Sequence, residues 1–187
     1  MIACALGRQI RIRFRGARPL GPATDQQRVS VALTALRAMN IGAAEADDML
    51  LTVLVQLQSL NLAEDAHLTG ELNSSYGMAE VATRSMGLRR FSQVYARLAD
   101  AAAAASDVLS GAEWRVYRGL RLLGDGDIAT AATLFEQAAG IYRSINAGYI
   151  VNIVECQRGY ADFFAGDLDG AMQRYRSVAD EAARRGD

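Results

Sequence analysis

Two segments of this chain repeat one pattern at a spacing of forty residues. Residues 118–127 have the sequence RGLRLLGDGD, and residues 158–167 have the sequence RGYADFFAGD. In each copy an alanine stands five residues after the last glycine, and an aromatic residue stands nine after it. A repeat of this length is typical of stacked helix pairs, in which no unit buries its apolar face alone and the stacking of units makes the core. The repeat therefore predicts an all-α solenoid, a class of fold that usually binds other molecules.

The composition excludes several kinds of chemistry. All twenty basic residues are arginine, and the chain contains no lysine. This absence excludes a phosphate-binding lysine loop, a Schiff-base lysine and a Ser-Lys pair. His67 is the single histidine, so a metal site with several histidines is also excluded. We therefore expect no catalytic residues, no cofactor and no metal.

The cysteines and the apolar segments predict where in the cell the protein is located. Cys4 and Cys156 are too far apart and too few to form a disulfide framework or a Cys-x-x-Cys zinc site. Their free thiols predict a reducing, cytoplasmic setting. The apolar segment of residues 2–6 is too short for a membrane span or a signal sequence, and polar residues interrupt the apolar stretch of residues 49–62. We therefore expect no membrane partner.

The positions of proline divide the sequence into two regions. Both prolines lie in the segment Gly16–Thr24, which has the composition of a linker, and the chain after it is rich in helix-forming residues. The sequence predicts an Arg-rich arm and linker at residues 1–24 and a repeat domain at residues 25–187. That domain is expected to be a right-handed solenoid of about four antiparallel helix pairs. The predicted helices cover residues 25–39, 44–65, 71–86, 88–105, 112–123, 127–144, 148–165 and 168–185.

The arm itself contains an alternating pattern. Within Arg8–Arg15, apolar residues alternate with Arg11, Arg13 and Arg15. Alternation favours a β-strand, although a single short strand without a partner would be marginal. A helix end or a disordered arm remains the alternative at this point.

Four glycines are predicted to mark turns between helices. Gly42, Gly87, Gly126 and Gly166 are separated by 45, 39 and 40 residues. Glycine ends a helix easily because it adopts the left-handed conformation without a steric penalty. The aspartate after each of the last two glycines is predicted to cap the next helix by accepting from its free backbone N–H groups. The small residue beyond would let paired helices approach, and the aromatic residue would fill the gap between pairs.

The spacing of small and aromatic residues resembles the signature of the tetratricopeptide repeat. A glycine seven residues before each turn glycine matches the first small position of that family. One copy supplies the later positions with Ala131, Phe135 and Ala138, whereas the next copy has Val178 in place of the last alanine. The usual repeat has about thirty-four residues, so a spacing of forty implies longer helices or linkers between units.

A second resemblance concerns longer segments. Leu57–Glu64, the region of residues 111–187 and the Arg-rich segment of residues 9–15 resemble the C-terminal helical-repeat region of large bacterial proteins with an AAA-type ATPase module. Such proteins often carry a class III adenylate/guanylate cyclase or kinase domain upstream. The chain contains neither a Gly-x-x-x-x-Gly-Lys loop nor a cyclase domain. The resemblance therefore implies a regulatory scaffold that receives protein or peptide partners. The alternative is a sensor that binds a small ligand or peptide in the superhelical groove.

Four arginines are the candidate binding residues. Arg115, Arg118 and Arg121 recur every three residues, and Arg158 stands forty residues after Arg118. They form either a solvated helix face or a ridge that binds carboxylates or phosphates through planar guanidinium groups. Nucleic acid is not expected, because the net charge of the chain is −1.

Other local features have simpler structural explanations. The segment Gly124–Ala129 superficially fits a dinucleotide-binding fingerprint, but no strand precedes it, so we expect a turn between helices. His67 follows the end of a predicted helix, where a capping role or a solvated position is expected. The helix of residues 168–185 has one apolar stripe, which predicts self-association or a continuation of the repeat.

Overall fold

The computed structural model of the chain describes residues 2–15, 23–104 and 107–186. Every secondary-structure element in these ranges is an α-helix, which confirms the all-α class. The helices are α1 (Ile2–Arg15), α2 (Ala23–Glu45), α3 (Met49–Ala66), α4 (Thr69–Ser85), α5 (Arg89–Ala103), α6 (Val108–Asp125), α7 (Ile128–Ser144), α8 (Gly148–Ala165) and α9 (Leu168–Arg185).

The chain divides into two compact units. Unit 1 is Met1–Ala105 and contains α1 to α5, and unit 2 is Ser106–Asp187 and contains α6 to α9. Within unit 1, α3 packs against α1, α2 and α4, and α4 packs against α5. Within unit 2, each helix packs against the next one along the chain. Short connections of this kind make consecutive helices antiparallel neighbours.

The strand predicted for Arg8–Arg15 is wrong, because this segment lies in α1. Ala5 and Gln9 are both buried, whereas the adjacent Ile10 and Arg11 are both exposed. Burial at a spacing of four residues is the pattern of a helix rather than of a strand. Most of the predicted linker, residues 16–22, lies outside the described residues, and the boundary between an arm of residues 1–24 and a domain of residues 25–187 stays a prediction.

Three of the predicted glycine turns have the expected geometry. Gly87, with a φ of 74°, lies between α4 and α5. Gly126 and Gly166 have φ values of 87° and 88°, in the left-handed region, and end α6 and α8. Asp127 accepts a hydrogen bond from the backbone N–H of Thr130 at 3.3 Å, and Asp167 accepts one from that of Gly170 at 2.9 Å. The prediction that Gly-Asp separates paired helices is confirmed at both places.

The turn predicted at Gly42 is wrong. Gly42 lies inside α2, which continues to Glu45, and the chain turns instead at Asp47, whose φ is 55°. Asp48 then caps α3 by accepting from the N–H of Leu51 at 3.0 Å. A glycine inside a helix costs only about 1 kcal/mol relative to alanine, so the surrounding helix formers determine the conformation here.

The repeated glycine and aromatic residues contact each other within each helix pair. Phe135 is fully buried, and a Cβ atom added to Gly119 would lie 2.5 Å from its ring carbon Cε1. A Cβ added to Gly159 would lie 2.7 Å from Cζ of Tyr175. Each aromatic ring therefore packs on the glycine of its own pair, whereas the repeat pattern alone placed it in the gap between pairs.

Unit 1 buries a cluster of polar side chains that holds α1. The amide nitrogen of Gln9 donates to Asn61 at 3.0 Å and to Glu64 at 2.8 Å. The hydroxyl of Tyr76 donates to Glu64, and that of Tyr95 donates to the amide oxygen of Gln9, both at 3.0 Å. Since buried polar groups are costly unless they are hydrogen-bonded, these bonds fix the position of α1 on α3.

Candidate functional site

A groove of about 840 Å³ opens in unit 2 between the C-terminal end of α7 and helices α8 and α9. Four arginines and two glutamates line it, so its charged lining has an excess of two positive charges. Apolar lining comes from Ala147, Val151 and Val178. The charged residues are Arg143, Arg158, Arg174, Arg185, Glu155 and Glu181.

Glu155 is the centre of the charged cluster. Its side chain is only 12 % exposed, and its carboxylate accepts from Arg174 Nη1 at 2.7 Å and from Arg158 Nη1 at 3.1 Å. Arg143 donates to the same carboxylate. One buried carboxylate thus holds three guanidinium groups from α7, α8 and α9.

Two further carboxylates extend this cluster. Arg174 donates through Nε to Asp162 at 2.8 Å, and Arg158 lies 3.6 Å from Glu136. Burial by itself would lower the pKa of Arg174, but its hydrogen bonds to Asp162 and Glu155 outweigh that effect and raise the pKa above its ordinary value. The hydrogen bonds to Asp162 and Glu155 therefore hold the Arg174 guanidinium against α8.

The arrangement leaves hydrogen-bond donors for a ligand. Three guanidinium groups carry roughly fifteen N–H donors, whereas the carboxylates of Glu155, Asp162 and Glu136 together accept about twelve hydrogen bonds. The three arginines around Glu155 can therefore bind an additional anionic group that enters the groove. A planar carboxylate matches the fork of a guanidinium group and binds it through two parallel hydrogen bonds.

Only one of the four predicted binding arginines lines this groove. Arg158 lines the groove, but the other three lie on α6 and do not line it. Arg115 donates to the carbonyl of Gly111 at 2.8 Å and to the side chain of Gln137 at 3.2 Å. The guanidinium carbon of Arg118 lies 4.8 Å from the centre of the Trp114 ring. A binding role for Arg115, Arg118 and Arg121 stays a prediction.

The binding residues predicted from the sequence do not include Glu155 or the remaining arginines of the groove. The pair Glu155 and Arg158 has the i, i+3 spacing of neighbours on a helix, which is a usable signal. The contact between Glu155 and Arg174 spans nineteen residues and two helices, so no local pattern predicts it.

His67 lies outside this groove and ends α3 in a left-handed conformation with a φ of 51°. In the described ranges, no group of three histidine, cysteine, aspartate or glutamate side chains could hold a metal ion. None of the helices described has both the length and the apolar character needed to cross a membrane.

Comparisons of the chain with family models, with curated proteins and with solved structures found no match.

Proposed function

We propose that this chain is a non-catalytic interaction scaffold whose α7–α9 groove holds an acidic peptide segment of a protein partner. The observation that carries this proposal is the set of three arginines around Glu155 in a groove with excess positive charge. The apolar residues of the lining support it, because they can contact apolar side chains that flank an acidic residue of a peptide. A peptide offers both chemistries in one ligand.

We extend the proposal to the arrangement of the helices. The helix pairs form a right-handed solenoid of the tetratricopeptide type with repeats of about forty residues. Two features support this arrangement: each helix of unit 2 packs against the next, and the glycine–aromatic contact recurs from Gly119 and Phe135 to Gly159 and Tyr175.

The biological setting that we propose rests on the resemblance alone. It is the cytoplasm of a bacterium, where the chain is the signal-receiving segment of an ATPase/cyclase-type signalling protein. An ATPase or cyclase module in the adjoining coding sequence would support this parentage. ATP turnover or cyclase activity of the purified chain would contradict the non-catalytic part of the proposal.

Fluorescence anisotropy with a labelled peptide tests the groove. The probe is a mixed glutamate and leucine peptide, and the reference is the same peptide with glutamine in place of glutamate. We expect Arg174→Gln and Arg185→Gln each to weaken binding of the acidic peptide by about tenfold or more, the usual effect of removing a charged hydrogen bond. Circular dichroism shows whether each variant is folded.

The matched control is Arg176→Gln, because Arg176 lies on α9 two residues from Arg174 but does not line the groove. This variant is expected to bind like the unmodified chain. Equal binding of the acidic and the neutral peptide, or equal weakening by the control, would remove the groove from the proposal.

A small-ligand sensor is the second candidate, because the volume of the groove suits a metabolite as well as a peptide. A thermal-shift screen of anionic metabolites tests it. A specific ligand at a hundredfold excess over its dissociation constant adds about 2.7 kcal/mol of stability. A scaffold without a small ligand would show no such shift with any metabolite.

A further inference from the structure

Helix α8 carries an exposed apolar stripe on the side opposite its buried residues. Val154 and Ala161 face the core, but five large apolar side chains on the other side expose between 40 % and 60 % of their surface. These residues are Tyr149, Ile153, Tyr160, Phe163 and Phe164. Their spacing along α8 places them on one face of a helix.

The stripe continues onto α9. Tyr160 and Tyr175 contact each other edge to face, with ring centroids 6.0 Å apart, and so connect the two helices. Leu168 and Met172 lie on α9 and expose 58 % and 50 % of their surface. We call the exposed apolar residues of these two helices the outer face: Tyr149, Ile153, Tyr160, Phe163, Phe164, Leu168 and Met172.

One cysteine, Cys156, lies on the same face of α8 as the stripe. Cys156 lies at the helical spacing of the stripe, between Ile153 and Tyr160. Burial, and to a smaller extent the charge of Glu155, raise the pKa of its thiol. Because Cys156 is partly exposed on this face of α8, its rate of labelling reports solvent access there.

The forty-residue repeat indicates what such a face does. Leu120, Leu123 and Ala132 pack against the core of unit 2, and the residues forty positions later are Tyr160, Phe163 and Met172. The later residues remain apolar, and two of them are aromatic, although they are exposed. A group of neighbouring apolar residues that stays exposed at the surface indicates an interface.

The size of the outer face agrees with a protein–protein contact. Four aromatic rings that each expose about half of roughly 150–250 Å² contribute about 400 Å², and the aliphatic residues among them enlarge the patch. A standard interface buries about 800 Å² on each partner. The four rings alone thus supply about half of that area, and together with the aliphatic residues they form a patch rather than isolated apolar residues.

The charges beside the outer face favour a second copy of the same chain as the occupant. Exposed residues of both signs, Asp169, Arg176 and Asp180, follow one another along α9. In a two-fold symmetric dimer the same surface of both copies forms the interface, so that surface must be complementary to itself. A mixed row of this kind can place Arg176 of one copy against an aspartate of the other.

We propose that the outer face of α8 and α9 binds a second copy of this chain in a two-fold symmetric homodimer. The groove around Glu155 is lined by other residues of these helices and stays open to its ligand. This inference therefore does not depend on the proposed function of the groove.

Sedimentation equilibrium of the full chain over a wide range of micromolar concentrations tests the proposal. We expect a reversible dimer of the unmodified chain. Phe164→Asp and Met172→Asp are each expected to weaken dimerisation by about thirtyfold or more, as for a central interface residue. Circular dichroism confirms that both variants are folded.

Two controls separate the outer face from general changes. Val108 is 73 % exposed at the start of α6, where an acidic residue favours the helix, so Val108→Asp is expected to dimerise normally. Arg174→Gln is expected to weaken peptide binding and to keep the dimer. In a Cys4→Ser background, thiol labelling of Cys156 is expected to slow as the protein concentration rises.

Three results would overturn the proposal. The first is a chain that stays monomeric at every concentration, as expected if the outer face binds a helix of a different protein. The second is a dimer that Phe164→Asp and Met172→Asp leave unchanged. The third is a loss of dimer with Val108→Asp as large as with the outer-face variants.

Discussion

Gly119 leaves no room for a side chain, and this single residue links the repeat pattern to stability. A Cβ atom at Gly119 would lie 2.5 Å from the Phe135 ring, which is fully buried and cannot move away freely. Overpacking of a core typically costs 1–3 kcal/mol, so we expect Gly119→Ala to lower the free energy of unfolding of unit 2 by about 2 kcal/mol. Urea titration followed by the fluorescence of Trp114, the one tryptophan of the chain, measures this change.

Gly140 is the matched control for this substitution. It lies inside α7, and a Cβ at this position would meet no atom within 4 Å. Because alanine favours a helix interior over glycine, Gly140→Ala is expected to stabilise unit 2 by about 0.5–1 kcal/mol. If Gly119→Ala raised the free energy of unfolding of unit 2 as Gly140→Ala does, this result would contradict the contact between Gly119 and Phe135.

At the scale of an element, buried polar contacts join α1 to the rest of unit 1. The hydroxyl of Tyr95 donates to the buried amide oxygen of Gln9 at 3.0 Å. Tyr95→Phe removes that donor and is expected to destabilise the attachment of α1 by about 1–3 kcal/mol, the cost of a buried group without its partner. Hydrogen exchange of the α1 amides measures this opening, and faster exchange is the expected result.

Tyr160→Phe is the control, since the side chain of Tyr160 is half exposed and lies in unit 2. Unchanged exchange in α1 after Tyr95→Phe would show that the polar cluster does not hold the helix. Faster exchange after both substitutions would point to a general effect of removing a hydroxyl.

The elements also show how far the sequence predicts this fold. The predicted ranges of α8 and α9 match the structure because their signals are local: Gly166 ends one helix and Asp167 caps the next. Alternation at Arg8–Arg15 gave a wrong strand because the burial of Ala5 and Gln9 depends on contacts with α3. Gly42 gave a wrong turn because a glycine does not end a helix that its neighbours favour.

The candidate site was less predictable than the helices for a related reason. Arg158 was identified from the repeat, and it lines the groove. Its partner Glu155 holds Arg143 and Arg174 from two other helices, and such a cluster exists only when the helices pack. Local spacing predicts the face of one helix, whereas a groove requires the positions of three.

At the scale of the whole molecule, the two proposed surfaces of unit 2 differ in the force that drives binding. The proposed peptide binding in the groove depends on charge, which salt screens, since the Debye length falls from about 10 Å at 0.1 M to about 3 Å at 1 M salt. The proposed dimer of the outer face is held by apolar contact, which salts such as sulfate strengthen. Added sodium sulfate is therefore expected to weaken binding of the acidic peptide and to strengthen the homodimer.

Anisotropy and sedimentation in the same buffers measure both effects on one preparation. The variants separate the surfaces further, because Arg174→Gln is expected to reduce the salt dependence of peptide binding and to leave that of the dimer unchanged. Phe164→Asp is expected to reduce the salt dependence of dimerisation and to leave that of peptide binding unchanged. If sulfate weakened both associations in parallel, charge would drive them both, and the apolar outer face would no longer explain the dimer.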